Sequence, residues 1–195
     1  MTDWAAHPEA KHALAITGRR IDLVALAERH LPLLVAWRND PEIGRGFFTR
    51  PTFTLAAQTE WFAGYADDPT DFYFVIVVKN GSEIGTVSIS KIDWSARTGE
   101  FGRFLIGDAR FRGAGYGREA AERVICFAQS QLGLRSLSLS VRPGNASASR
   151  LYRALGFVET ATSARRAPDG HTEMAQVMVL GLGDHSDHEA RSRGC

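Results

Sequence analysis

The sequence predicts one domain of the α+β or α/β class, a sandwich built on a mixed sheet. Three observations lead there. The chain has 195 residues, a little over one domain at ~150 residues each. Asn80-Gly81 joins two apolar runs into an antiparallel hairpin. From Gly99 onward the apolar pattern alternates between strand and helix periods, giving β-α-β-α-β. No repeat and no Pro-rich or Gly/Ser-rich linker divides the chain, and at this length roughly 70% of the unfolded surface can be buried.

The elements follow in order. Ile21 to Leu26 begins as a strand, and Leu31, Leu34, Val35 and Trp37 give a helix face with Pro32 in the first turn. Asn39-Asp40-Pro41 ends that helix. Thr54 caps a second helix reaching about Tyr65, with Leu55, Phe62 and Tyr65 offered to its buried side. Phe72 to Val78, Ile84 to Ile92 and Gly99 to Ile106 read as a meander. Gly117 to Leu132 is the strongest helix: Ala121, Val124, Ile125, Ala128 and Leu132 form one face, while Arg118, Glu119, Glu122 and Arg123 face out. Gly133 closes it. Leu137, Leu139 and Val141 alternate with serines as a strand, Ala146 to Leu155 forms a short helix, and Thr172 to Leu180 the last strand. The apolar pattern places the domain at 14–182, between an N-terminal tail, 1–13, and a polar C-terminal tail, 183–195.

Composition narrows the function. Lys and Arg number 23 against 22 Asp and Glu, so no global field attracts nucleic acid or an anionic membrane. Cys126 and Cys195 do not make a secreted disulfide framework, and a cytoplasmic location fits. No apolar run reaches the ~18 residues of a membrane span, and the six histidines form no cluster with metal-ligand spacing, so no metal is expected.

The chemistry concentrates where Phe104-Leu105-Ile106-Gly107 leads through a short loop into Arg112-Gly113-Ala114-Gly115-Tyr116-Gly117 and the strong helix. A strand delivering a Gly-rich turn to a helix N-terminus offers converging N–H donors and a positive dipole end, which suits a pyrophosphate. Arg112 adds a charge-assisted contact. The same glycines also fit a plain tight turn. A dinucleotide fingerprint would need glycine where Arg118 stands, and no Gly-Lys-Ser/Thr ending is present.

Arg112-x-x-Gly115-x-Gly117 resembles the acyl-CoA pyrophosphate loop of the GNAT superfamily of N-acetyltransferases. Asn145-x-x-Ala148-x-x-Leu151-Tyr152-x-x-Leu155-Gly156-Phe157 is similar to the family's C-terminal motif. The resemblance covers about residues 20–182. It implies a mixed, mostly antiparallel sheet of about seven strands with helices on both faces, splayed between the family's strands four and five, here Gly99–Ile106 and Ser136–Val141. It also implies acetyl-CoA as cosubstrate in the gap. Phe104, Leu105 and Ile106 are the family positions that pair with the pantetheine arm; Arg112, Gly113, Ala114, Gly115, Tyr116 and Gly117 hold the pyrophosphate, and Asn145 contacts the cofactor arm or caps the helix behind it.

Glu100, on the strand leading to the loop, is the leading candidate base, or else a carboxylate anchoring a neighbouring loop; His30, His171 and Asp93 are weaker alternatives. Tyr152 holds the family position from which a phenol protonates the departing thiolate, and also fits a helix aromatic packing on Phe157. Cys126 lies on an apolar helix with no identifiable base, which favours direct transfer in a ternary complex over an acetyl-enzyme.

The resemblance places the acceptor against the first helices, so Trp37, Arg38 and Asn39, with Phe47 and Phe48, are the expected substrate-binding residues. Trp-Arg-Asn-x-Pro and Gly102 to Asp108 are similar to members acting on nucleotide-linked amino sugars, and to members that acetylate ribosomal-protein N-termini, polyamines or antibiotics. The expectation is therefore a small-molecule amine, with an amino sugar preferred. A protein N-terminal acetyltransferase and a non-catalytic acyl-CoA-binding module are the rival readings. A homodimer is left open; nucleic acid and membrane partners are not expected.

Overall fold

The computed structural model of the chain describes residues 4, 6–48, 52–166 and 172–183. Eight strands, β1 (Ala15–Thr17), β2 (Ile21–Ala25), β3 (Phe72–Val78), β4 (Glu83–Asp93), β5 (Thr98–Ile106), β6 (Ser136–Val141), β7 (Val158–Arg166) and β8 (Thr172–Gly181), form one open sheet. Their order is β1-β2-β3-β4-β5-β6-β8-β7. Every neighbouring pair is antiparallel except β5 and β6. The helices are α1 (Leu31–Asn39), α2 (Pro41–Gly44), α3 (Leu55–Ala66), α4 (Tyr116–Ser130) and α5 (Ala146–Ala154).

Period-two patterning explains why both faces of the sheet are covered. In β3, Phe72, Phe74, Ile76 and Val78 enter the larger core, which α4 closes, while Tyr73, Val75 and Val77 enter a second core against α1 and α3. In β6, Leu137, Leu139 and Val141 are buried and the intervening serines are half-buried on the opposite face. Asp40 sits outside both first helices; its Oδ1 accepts from the backbone N–H of Glu42 at 2.7 Å and starts α2 immediately after α1 ends.

Several expectations need correction. β1 and β7 were not legible: β1 is a three-residue strand, and β7 is an exposed edge that forms because its backbone pairs with β8 from Val158↔Val179 to Arg166↔Thr172. Glu119 faces inward rather than out, and Leu55 is 49% exposed rather than buried.

Nor do the described residues before 14 behave as a tail. Residues 8–13 form a 3-10 helix. Trp4 packs edge-on to Phe72 at 5.4 Å and donates from Nε1 to Gln131 O at 3.2 Å. Lys11 is 1% exposed; its ammonium donates to Tyr65 O (2.5 Å), Asp68 O (2.6 Å) and Asp71 O (3.1 Å) and lies 4.0 Å from the Tyr65 ring centroid. It therefore satisfies carbonyls at the end of α3 and in the turn beyond. Burial lowers its pKa to about 8. Residues 184–195 lie outside the described residues.

Among the described residues, no helix is long and apolar enough to cross a membrane, and no group of three or more His, Cys, Asp or Glu could hold a metal ion.

Candidate active site

The site originates in a failure of strand pairing. β5 and β6 pair only at Thr98↔Ser136, Gly99↔Leu137 and Glu100↔Ser138, then part. A cleft of about 1190 Å³ opens between them, lined by Glu100 and residues 101–106 on one side and by Leu139, Ser140 and Val141 on the other. β5 turns away through a bulge: Ser88 faces Gly102 and Thr86 faces Leu105, which leaves an extra residue at Arg103, in the left-handed region at φ +43. The bulge is held from behind. The Thr86 hydroxyl donates to Arg103 O at 2.7 Å, and the Arg103 guanidinium pairs with the buried Asp71 carboxylate at 2.6 Å, over Tyr73.

At the mouth, Gly113 (φ +75) and Gly115 (φ +84) adopt backbone that side chains disfavour, and Gly115 begins α4 without a capping side chain. The first N–H groups of the helix keep no capping acceptor and point with its dipole. Gly117 permits close packing, since a Cβ there would lie 3.1 Å from Phe104 Cζ. Gly113, Gly115 and Gly117 line the cleft; Ala114 and Tyr116 belong to the same loop but do not.

Arg112 lines the cleft but folds back. Its Nε donates to Ile106 O at 3.0 Å and Nη2 to Gly107 O at 3.1 Å, while Nη1 pairs with Glu42 at 3.4 Å. It fastens the loop to the end of β5. Sequence reasoning missed the second fastening, Arg20, whose Nη1 donates to Ala114 O at 2.9 Å and whose Nε pairs with Glu119 at 2.9 Å. Although burial opposes it, the Arg20 N–H and guanidinium hold the Glu119 carboxyl below its usual range. An acidic residue on the fourth position of a helix gave no signal of that role.

α5 begins at Asn145, whose Oδ1 accepts from Ala148 N at 3.2 Å. It presents Tyr152 to the cleft, 9% exposed and packed edge-on to Phe101 at 5.7 Å and Phe157 at 5.9 Å. Burial pushes the phenol pKa up to about 12. Glu100 lies at the vertex, where the strands part, and pairs with Lys91 Nζ at 2.8 Å. The alternative bases are elsewhere: His30 is buried beside Glu83 with Nδ1 accepting from Ala27 N, and Asp93 caps a turn through Ser95 and Ala96. His171 lies outside the described residues.

Trp37, Arg38 and Asn39 do not line the cleft. Trp37 packs with Ile43 and Leu105 under Gly107, where a Cβ would strike its ring. Arg38 stacks between Phe47 and Phe53, each 4.5 Å away. Asn39 exchanges two hydrogen bonds with the Phe53 backbone, both 2.8 Å. They support the wall that Phe47 and Phe48 present. Arg142 and Glu173, absent from the sequence reading, do line the cleft.

Such an arrangement can hold an extended amide-rich ligand along two parted strand edges, with its anionic end on the α4 turn and a carboxylate and a phenol at the inner end. A family model described as an acetyltransferase (GNAT) domain matches residues 20–158. The alpha/beta-tubulin-N-acetyltransferase 9 of Drosophila melanogaster is 26% identical over 163 residues, spanning 74% of this chain and 78% of that protein. In fold, the chain is similar to spermidine N-acetyltransferase from Vibrio cholerae in complex with CoA and spermine, with a TM-score of 0.76 at 23% identity over 83% of this chain and 95% of that one. A chimera of that enzyme with hSSAT gives 0.75 at 21%, over 84% and 96%.

Proposed function

The chain belongs to the GNAT acetyltransferase family, and from that premise we propose that the cleft between β5 and β6 is where acetyl-CoA meets a primary amine. The protein is an acetyl-CoA-dependent N-acetyltransferase; the placement of its chemistry is our reading. One observation carries it: parallel strands that separate after three paired residues, with a left-handed glycine turn and an uncapped helix at their open end.

In this reading the pantetheine arm pairs with the freed β5 edge at Phe104 to Ile106, and the pyrophosphate takes the N–H groups of Gly113 to Gly117. Arg112 and Arg20 keep that turn in shape. Deprotonating an ammonium of pKa ~10.4 at pH 7 costs about 4 to 5 kcal/mol. Glu100, ion-paired with Lys91, takes that proton directly or through a water. The amine nitrogen then bonds to the thioester carbon while backbone N–H groups of β5 stabilise the oxyanion. As the C–S bond breaks, Tyr152 passes its proton to sulfur and recovers one from the new amide nitrogen. The products are an acetamide and coenzyme A thiol.

The amino-sugar preference gains no support, because Trp37, Arg38 and Asn39 stand behind the wall. A protein amine is the second reading, favoured by the tubulin-acetylating relative. Thiol release from acetyl-CoA with spermidine, an amino sugar and N-terminal peptides tests both. Turnover with one class names the acceptor. Tight acetyl-CoA binding without thiol release for any amine would reduce the chain to a binding module.

A further inference from the structure

We propose that Arg142 is the positioning residue of the acceptor wall, so that it governs how well an amine is held. The proposal rests on the cleft being the transferase site. Arg142 follows the last residue of β6 and opens the turn that leads to Asn145 and α5. Its Nη1 donates to Arg45 O and Phe47 O, each at 3.2 Å, and its Nη2 pairs with Glu173 Oε1 of β8 at 2.7 Å. Gly46 lies between the two accepting carbonyls, and Asn145 Nδ2 is 3.4 Å from where a Cβ of Gly46 would stand.

Three consecutive residues after α2 therefore rest on positions 142 and 145, the turn adjoining the cofactor end. From outside, Arg38 stacks on Phe47, and Asn39 grips the backbone of Phe53. Phe47 is held from both sides. The Arg142 and Glu173 side chains are 25% and 14% exposed, so their ion pair and the bond to Phe47 O are partly shielded from water. A planar guanidinium can serve two carbonyls and a carboxylate at once, whereas an ammonium is a point charge without that fork. Arg142 needs no contact with the amine; it sets the place of the aromatic wall that does.

The test compares Arg142→Ala and Arg142→Lys with the parent, using the best acceptor among spermidine, an amino sugar and an N-terminal peptide. Calorimetry gives the acetyl-CoA affinity, and hydrogen exchange follows residues 44–48. In Arg142→Ala the acceptor KM should rise about tenfold at nearly constant kcat, because ground-state positioning is lost. Acetyl-CoA affinity should change less than about twofold, exchange at 44–48 should quicken, and the lysine variant should fall between. An unchanged acceptor KM in folded protein overturns the proposal, as does a parallel rise in acceptor KM and acetyl-CoA Kd. Should the alanine variant not fold, the lysine variant decides by the same KM split. If the parent acetylates no amine, the transferase reading fails; unchanged exchange at 44–48 then overturns the latch separately.

Discussion

The two ends of the cleft are built from different material. The cofactor end is mostly backbone: two left-handed glycines, a helix start without a cap, and strand edges left by β5 and β6. The acceptor end is mostly side chain, assembled from Arg142, Glu173, Arg38, Asn39 and Phe47, which come from four separate stretches of sequence. Backbone presents the same groups whatever the residue, and the positive φ at Gly113 and Gly115 restricts those two positions to glycine. Side chains can be exchanged singly, so the other end is where relatives with a common fold can diverge toward polyamine or protein acceptors.

The largest effect should come from the backbone end. Gly115→Val places a β-branched residue at φ +84, costing at least ~1 to 2 kcal/mol of strain, and its side chain blocks close approach to the turn. Acetyl-CoA affinity should fall about 10³-fold, a loss of roughly 4 kcal/mol. Calorimetry on folded protein checks it, and unchanged affinity would remove the pyrophosphate from this turn.

Next come the two chemical groups, at about 10²-fold each. Tyr152→Phe keeps the ring packed edge-on to Phe101 and Phe157 and should lower kcat with acetyl-CoA affinity intact. The donor acts when protonated, and burial pushes its pKa up to about 12, so the proton-loaded window extends upward. A basic limb in kcat below about pH 11 that vanishes in Tyr152→Phe would contradict the raised pKa, whereas a parent-rate kcat in that variant would remove the acid role from Tyr152. Glu100→Gln, which cannot accept the proton, should lower kcat with acetyl-CoA affinity intact; a parent-rate kcat would move the base elsewhere.

The smallest effect should be at Asn39. Asn39→Ala loses two hydrogen bonds to the Phe53 backbone and should cost about 1 to 2 kcal/mol of stability, read from chemical denaturation. Acetyl-CoA affinity should not move. If it did, the two ends would not be separable as described.

That division also decides what the sequence could reveal. Gly113, Gly115, Gly117 and the helix after them are contiguous, so a local pattern carries the glycine turn of the cofactor end, though not Arg20, which reaches Ala114 O across 94 positions. The acceptor end depends on Arg142 meeting Glu173, separated by 31 positions, and on Asn39 meeting Phe53; no local pattern encodes those meetings. Trp37 and Arg38 were legible as features yet misplaced, because an aromatic and a cation side by side look the same whether they face a ligand or support the residue that does. Arg112 was legible as a cation near phosphate, but the carbonyls of Ile106 and Gly107 that draw it back belong to a strand end. β7 was missed because its residues are exposed and lack an apolar period; only pairing with β8 makes it a strand.

Trp4 reaches Gln131 O across 127 positions, and that span has a consequence for the order in which the chain is made. Trp4 cannot dock until β3 and all of α4 have followed it from the ribosome. Until then Phe72, against which Trp4 packs, stays uncovered on that face. Closure by so distant a segment is slow relative to local structure and leaves apolar surface exposed during synthesis. A protein shortened at its N-terminus would keep that half-finished surface permanently.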